Sequence, residues 1–579
     1  MKTLPTMASL GILCACATAF AAEVSPPSRL KLGVVQMAQA TTISANRDRI
    51  VGHIGEVAAG GARVAVFPES VLMGTGENDP AQVEAGVQAI RQAARRHAVY
   101  VLFGGQSWYP PRKRAANWLY VIGPDGRDVL RYDKLYDQPQ APMPGVFTID
   151  GIPCGTFLCA DRWLRGVTEI PVQQGARIVF ELSCNYATEW VEPFGWYWNV
   201  PQALRNTVWV VFANTGNTVS GVADSGVPAD LRHGHSAVIA PDGRLVAAAR
   251  NDVATILFAE IDVSEATRAE ALARAAHPAL RGFWEAGVRL HRGEAVEAPA
   301  LVPWKYADTE VTLAASPVTG DVAAMEEKVR EARAKGADLV AFPAQSAPES
   351  ALPALQTAAR EHKIAVVFGA EHREAGGVRN SAFVIGPDGA VLTRYDQLSA
   401  TAPFTPGTDV AAMSFRVKGV PAVVTIGRDA VWTELSELAA VAGVRIHVHL
   451  DHDRADDAIA RQRRLQLWAN LASFQTFSAT VNVADAMIWD DLSGMEDRRS
   501  GGTARPVGRD AEVFSPFSAD LVVRTSAERP LVVATRTVAG PNLDYSRVLA
   551  SKNPQMAPWF RLGASLFTHV TETKPGTAP

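Results

Sequence analysis

Short apolar runs alternate along the chain with segments whose apolar positions recur every three or four residues. Leu30 to Met37 is mainly apolar and reads as a buried strand. The next segment puts Ile50, Ile54 and Val57 on one helical face. Gly60-Gly61-Ala62 then leads into the apolar run Val64-Ala65-Val66-Phe67, which ends in Pro68-Glu69-Ser70. The same succession returns in the second half. A strand over Val311 to Ala315 precedes a helix with Val322, Met325, Val329 and Ala332 on one face. Gly336-Ala337 and Leu339-Val340-Ala341-Phe342-Pro343 follow. The first periodicity is that of a strand and the second that of a helix.

The two halves keep step further on. Ala93-Ala94-Arg95-Arg96-His97 is echoed by Ala358-Ala359-Arg360-Glu361-His362. Asn117 with Val121-Ile122-Gly123-Pro124-Asp125-Gly126 is echoed by Asn380 with Val384-Ile385-Gly386-Pro387-Asp388-Gly389. Each Pro-Asp-Gly predicts a hairpin turn. Arg131-Tyr132-Asp133 returns as Arg394-Tyr395-Asp396, and Gly151-Ile152-Pro153 as Gly419-Val420-Pro421. So many matches in one order point to duplication. Strands alternating with helices, several of them continuously apolar, predict α/β layers with helices covering the sheets.

The first residues read as an export signal: Lys2, a mainly apolar Met7 to Phe20, and the small-x-small site Ala19-Phe20-Ala21. The apolar stretch falls short of the ~20 residues that span a bilayer. A lipoprotein reading at Cys16 ranks second, because Leu13-Cys14-Ala15-Cys16 is an imperfect lipobox. The chain divides on this reading into a signal at 1–22, a first copy at 28–290, a second copy at 305–545 and a tail at 546–579. Gly293 to Pro303 serves as the linker. A periplasmic or extracellular destination is expected, with no further membrane span. A net charge of −4 without a basic run gives no electrostatic reason to expect nucleic acid. Beyond the signal only Cys154, Cys159 and Cys184 remain, an odd set that leaves a thiol unpaired in a monomer. No metal-ligand spacing is present.

Three side chains of the first copy stand just past apolar strands, where α/β folds gather chemistry. Glu69 follows Val64–Phe67, Lys134 follows Val129–Tyr132, and Cys159 follows Ile152–Leu158. Each alone is ordinary: a loop charge, a surface lysine, a core cysteine. Together they match one reaction. A thiolate attacks a carbonyl carbon, a carboxylate shuttles the proton, and an ammonium stabilises the oxyanion. The N–H of Ala160 is a second oxyanion donor.

Phe67-Pro68-Glu69, Arg131-Tyr132-Asp133-Lys134 and Phe157-Leu158-Cys159-Ala160-Asp161-Arg162 resemble the three signature blocks of the nitrilase, or carbon–nitrogen hydrolase, superfamily. Pro144-Gly145, Leu204-Arg205-Asn206, Phe212 to Gly216 and Gly234 to Ile239 resemble its supporting segments. The likeness covers residues 30 to about 265. It implies a four-layer αββα sandwich, repeated in tandem here, and hydrolysis of a small non-peptide amide without metal or cofactor. It assigns Glu69 as acid–base, Lys134 as oxyanion stabiliser and Cys159 as nucleophile. Nitrile hydrolysis and acyl transfer to an amine use the same residues and stay open. One departure is Gln140, where many members carry a second glutamate; Asp137 is a substitute. Gln140, Trp163, Cys184 and Asn185, with Ala160, are the candidate substrate contacts. Trp196 and Trp198 read equally as pocket or packing.

The second copy has lost the trio. It reads Ala344 for the glutamate, Gln397 for the lysine and Gly427 for the cysteine. The expectation is a non-catalytic copy that pairs with the first within the chain, with a homo-oligomer open. A retained ligand-binding role for it is the minor reading. The rival for the whole chain is a binding or scaffold protein without catalysis.

Overall fold

The computed structural model describes residues 26–74, 79–109, 114–184, 194–216, 234–250, 254–299, 304, 306–453, 457–492, 520–538 and 555–570. The expected export signal and Asn185 lie outside these residues. Among the described residues no helix is long and apolar enough to cross a membrane.

The first copy is built on two six-stranded sheets. In one, Arg29–Met37, Val64–Val66 and Tyr100–Tyr109 run parallel. The hairpin strands Arg114–Ile122 and Asp128–Asp133 extend one side, and Ala254–Asp262 closes the other. In the other sheet, Ile152–Leu158, Ile178–Ser183 and Trp209–Asn214 run parallel between antiparallel edges. Parallel strands buried on both faces are mainly apolar, and Ile178–Ser183 and Trp209–Asn214, buried at every position, depart from this at Glu181, Ser183 and Asn214. Val34, Val66, Phe180 and Val211 belong to the apolar layer between the sheets.

Helices Ile43–Ala59 and Pro80–His97 cover the outside of the first sheet. The former buries Ile50, Ile54 and Val57, as its periodicity predicts. Thr42 caps its N-terminus by accepting from Ala45 N at 3.2 Å. The Pro-Asp-Gly segment turns the hairpin as expected. Gly126 takes φ +78°, where a Cβ would stand 2.8 Å from Arg91 O, so only glycine fits without a shift. Short helices after Cys159, with Asn199–Asn206, cover the second sheet. The result is the αββα sandwich.

The second copy repeats this strand for strand. Its two sheets have the same order, closed by Val532–Val538 where the first uses Ala254–Asp262. Even the irregularities recur: the hairpin register shifts at Val121/Ile122 and again at Val384/Ile385. The tandem α/β organisation expected from the sequence is present.

The copies pack through the helices covering their second sheets, so that Asn199–Asn206 meets Ala458–Ala472. A buried charge cluster joins them. Arg165 donates to Glu437 at 2.6 Å and pairs with Glu169. Arg274 bridges Glu169 at 2.7 Å and Glu434 at 2.9 Å. The helix Ala557–Ala564, within the expected tail, inserts between the copies. Trp559 stacks on Phe283 at 4.7 Å and donates to Phe283 O at 2.6 Å.

Candidate active site

Three strand ends converge where the two sheets of the first copy face each other. Glu69 lies past Val64–Val66, with its N–H reaching across the sandwich to Ser183 O at 3.3 Å. Ser70, next in the chain, has φ +57°. The approach is close: a Cβ on Gly104 would stand 2.6 Å from Glu69 Cα, which explains the glycine. Lys134 ends the hairpin strand, its N–H donating to Asn117 O at 2.8 Å. Cys159 leaves Ile152–Leu158 with φ +40°, a left-handed kink that swings the residue off the strand. The kink is braced from below. Asp161 accepts from Tyr132 Oη at 2.8 Å and from Tyr136 N at 2.7 Å, while Tyr132 Oη accepts from Leu158 N.

Glu69 and Lys134 are buried, and Cys159 and Cys184 half-buried. Lys134 Nζ donates to Glu69 Oε1 at 2.6 Å, and Asn117 Nδ2 donates to the same oxygen at 2.8 Å. Glu69 Oε2 accepts from the backbone and thiol of Cys184, each at 3.2 Å. Burial pushes the Glu69 carboxyl up, but the Lys134 charge and these donors outweigh it and hold the group below its ordinary value. For Lys134, burial works against the ammonium. Glu69 and Cys159 more than compensate, so it stays charged well above the usual lysine range. Cys159 is held below an ordinary thiol. Cys184 contributes most, when its single thiol hydrogen turns to Cys159 Sγ instead of Glu69; burial and Glu69 oppose, while Lys134 and Arg162 assist. The three cysteines of the described chain are free thiols.

Other expected contacts are distributed differently. Ala160 is half-buried in the turn after Cys159. Gln140 is exposed and lines a recess of about 710 Å³ with Trp118 and Arg131; none of the trio lines that recess. Trp163 sits edge-on to Trp198 at 4.3 Å, beside Phe474 of the second copy. Trp196 donates to His235 O at 2.8 Å. These tryptophans therefore have packing partners at and near the junction.

Three contributors were not singled out as site residues by the sequence reading. Asn117 orients the Glu69 carboxylate, Tyr132 with Asp161 braces the cysteine turn, and Arg162 pairs with buried Glu181 while donating to Cys159 O at 3.2 Å. The signal for the first two was present: Asn117, Tyr132 and Asp161 all return in the second copy as Asn380, Tyr395 and Asp429.

A carbon–nitrogen hydrolase family model matches residues 31–271 and again 314–476. Omega-amidase NIT2 of Danio rerio is 25% identical over 266 residues, which is 41% of this chain and 89% of that protein. Among solved structures, an amidase from Nesterenkonia sp. is 18% identical over 41% of this chain and 92% of its own, with a TM-score of 0.35. Saccharomyces cerevisiae Nit3, a member of branch 10 of the nitrilase superfamily, is 18% identical over 43% of this chain and 95% of its own, with a TM-score of 0.36.

Proposed function

Because this chain belongs to the carbon–nitrogen hydrolase family, we propose that its first copy hydrolyses the amide bond of a small molecule through a thioester on Cys159. The observation that carries the reading is the ion pair of Lys134 Nζ and Glu69 Oε1 at 2.6 Å beside a cysteine held below its ordinary pKa. A catalytic carboxylate must adjoin the nucleophile, because it has to take and return the thiol proton.

Glu69 takes the proton from Cys159 Sγ, and the sulfur attacks the amide carbon. The tetrahedral oxyanion is stabilised by Lys134 and the N–H of Ala160. Glu69 returns its proton to the leaving nitrogen, the C–N bond breaks, and the amine departs. Water enters, gives a proton to Glu69 and attacks the thioester; the C–S bond breaks, and the acid leaves as the thiol is restored. Asn117 fixes one carboxylate oxygen and Cys184 the other, which limits the rotations the base must lose in the transition state.

Intact mass after brief exposure to a panel of primary amides tests the proposal. An acyl adduct on Cys159, absent from Cys159→Ser and accompanied by ammonia release, supports it. No adduct and no ammonia across aliphatic amides, N-carbamoyl compounds and nitriles leaves the binding-protein reading in its place.

A further inference from the structure

The second copy retains the architecture of the site after losing its reactive groups. Gly427 keeps the left-handed turn at φ +50° where Cys159 has +40°. Tyr395 Oη donates to Asp429 at 2.7 Å, as Tyr132 does to Asp161. Ala344 N reaches across the sandwich to Asp451 O at 3.1 Å, as Glu69 N does to Ser183 O. A Cβ on Gly369 would stand 2.4 Å from Ala344 Cα, matching Gly104 against Glu69. Large side chains have not filled the space. Ala344, Asn380, Gln397 and Gly427, the four counterparts of Glu69, Asn117, Lys134 and Cys159, all line one cavity of about 520 Å³.

The four counterparts are uncharged, and two of them are oriented, while Arg428, Asp451, Asp453, Arg463 and Arg464 also line the cavity. Gln397 Nε2 donates to Ile426 O at 3.0 Å; a carbonyl only accepts, so this bond fixes which end of the amide is nitrogen. Gln397 Oε1 then accepts from Asn380 Nδ2 at 2.9 Å. That leaves Asn380 Oδ1 buried with no partner. Three further lining residues carry buried donors in the same condition: Arg463 Nε, Arg464 Nε and Trp468 Nε1. Arg464 is 5% exposed, and its other nitrogens meet Asp453 at 3.4 Å and Asp485 at 3.5 Å, so its charge is already balanced. Buried unmade hydrogen bonds are costly, and these four atoms belong to residues that line one cavity.

We propose that this cavity is a non-catalytic binding site for a small neutral primary carboxamide with an apolar tail. Asn380 Oδ1 needs a donor, and the arginine and tryptophan nitrogens need an acceptor; one CONH₂ group supplies both. A carboxylate lacks the donor that Asn380 Oδ1 needs. Phe404 and Leu467 among the lining residues suit the apolar tail. With Gly427 in place of a nucleophile, the bound amide is held and released unchanged. The assignment stands on second-copy residues and does not require the first site to be active.

Calorimetric titration of the full-length chain carrying Cys159→Ser with phenylacetamide provides the test. Asn380→Ala removes the acceptor. Thr401→Trp, at an exposed lining position, obstructs the mouth without touching the core. Each substitution is expected to weaken one binding component by about tenfold or more, the worth of one buried hydrogen bond or of lost access, with the melting temperature unchanged in Thr401→Trp. Phenylacetate is expected to bind that component more weakly than the amide. The assignment is overturned by the absence of any such component, by one indifferent to both substitutions, or by tighter binding of the acid. A component indifferent to both belongs to the first copy; if it stands alone, the hydrolase reading survives and this one does not. If no amide is hydrolysed but the sensitive component is present, the reverse holds.

Discussion

The Cys184 thiol donates to Glu69 Oε2 at 3.2 Å and adjoins Cys159, so a second thiol neighbours both the base and the nucleophile. Leu158 pairs with Leu182 in parallel, which sets Cys159 level with Ser183; Cys184 comes one residue later, and the left-handed turn at Cys159 carries that residue off its strand.

Oxidation should therefore act at this pair. Hydrogen peroxide removes one hydrogen from each thiol, forming a Cys159–Cys184 disulfide and two waters. The expected outcome is a loss of two hydrogens by intact mass, a crosslinked peptide, and activity restored by a thiol reductant. Cys184→Ser should lose the crosslink. Peptide mapping that finds both thiols unlinked after inactivation would refute it.

Removing both members of the buried ion pair should cost less than the two single removals add up to. Lys134→Met leaves the Glu69 carboxylate uncompensated and is expected to destabilise the first copy by about 3–5 kcal/mol. Lys134→Met with Glu69→Leu should cost clearly less than the sum of the single changes. Denaturant melts of the four proteins check this, and additivity would contradict it.

Asn117→Ala should lower kcat by roughly tenfold to a hundredfold, because a general base contributes about 10²–10⁴ and only its orientation is lost. KM should move little, since the amide nitrogen touches the carboxylate. Steady-state kinetics separate the two; a change confined to KM would place Asn117 in substrate binding instead.

Acid should loosen the junction between the copies. Burial pushes Glu169 up, but Arg165, Arg274 and Arg205 outweigh it and hold the carboxyl at about 2, against an ordinary value of 4.5. A depressed folded value means the stabilisation is full above pH 4.5 and is lost as pH falls toward about 2. Melting temperature against pH should drop across that window, and Glu169→Gln should flatten the drop. An acid slope unchanged in the variant would sink the assignment.

Trp559→Ala should destabilise the chain by about 3–5 kcal/mol, the usual cost of deleting a large buried aromatic. It is wholly buried against Phe283, which makes the helix Ala557–Ala564 part of the junction. A denaturant midpoint within error of the parent would exclude that role.

Sequence alone determined what depends on local pattern and order. Apolar periodicity gave the strands and helices, Pro-Asp-Gly gave the hairpins, and three ordered blocks marked Glu69, Lys134 and Cys159 as one candidate set. Lining the second copy against the first gave the loss of the trio as Ala344, Gln397 and Gly427. Tertiary structure decided what depends on separation in space. Cys184 and Asn117 both face Glu69, although 115 and 48 residues separate them in the chain. Arg165 meets Glu437 over 272 residues. Such contacts leave no periodic trace, because sheet register and helix docking set them, and neither acts within a window of neighbouring residues. The cavity of the second copy belongs with them: substitution shows which groups are gone, but only packing decides whether the space closes.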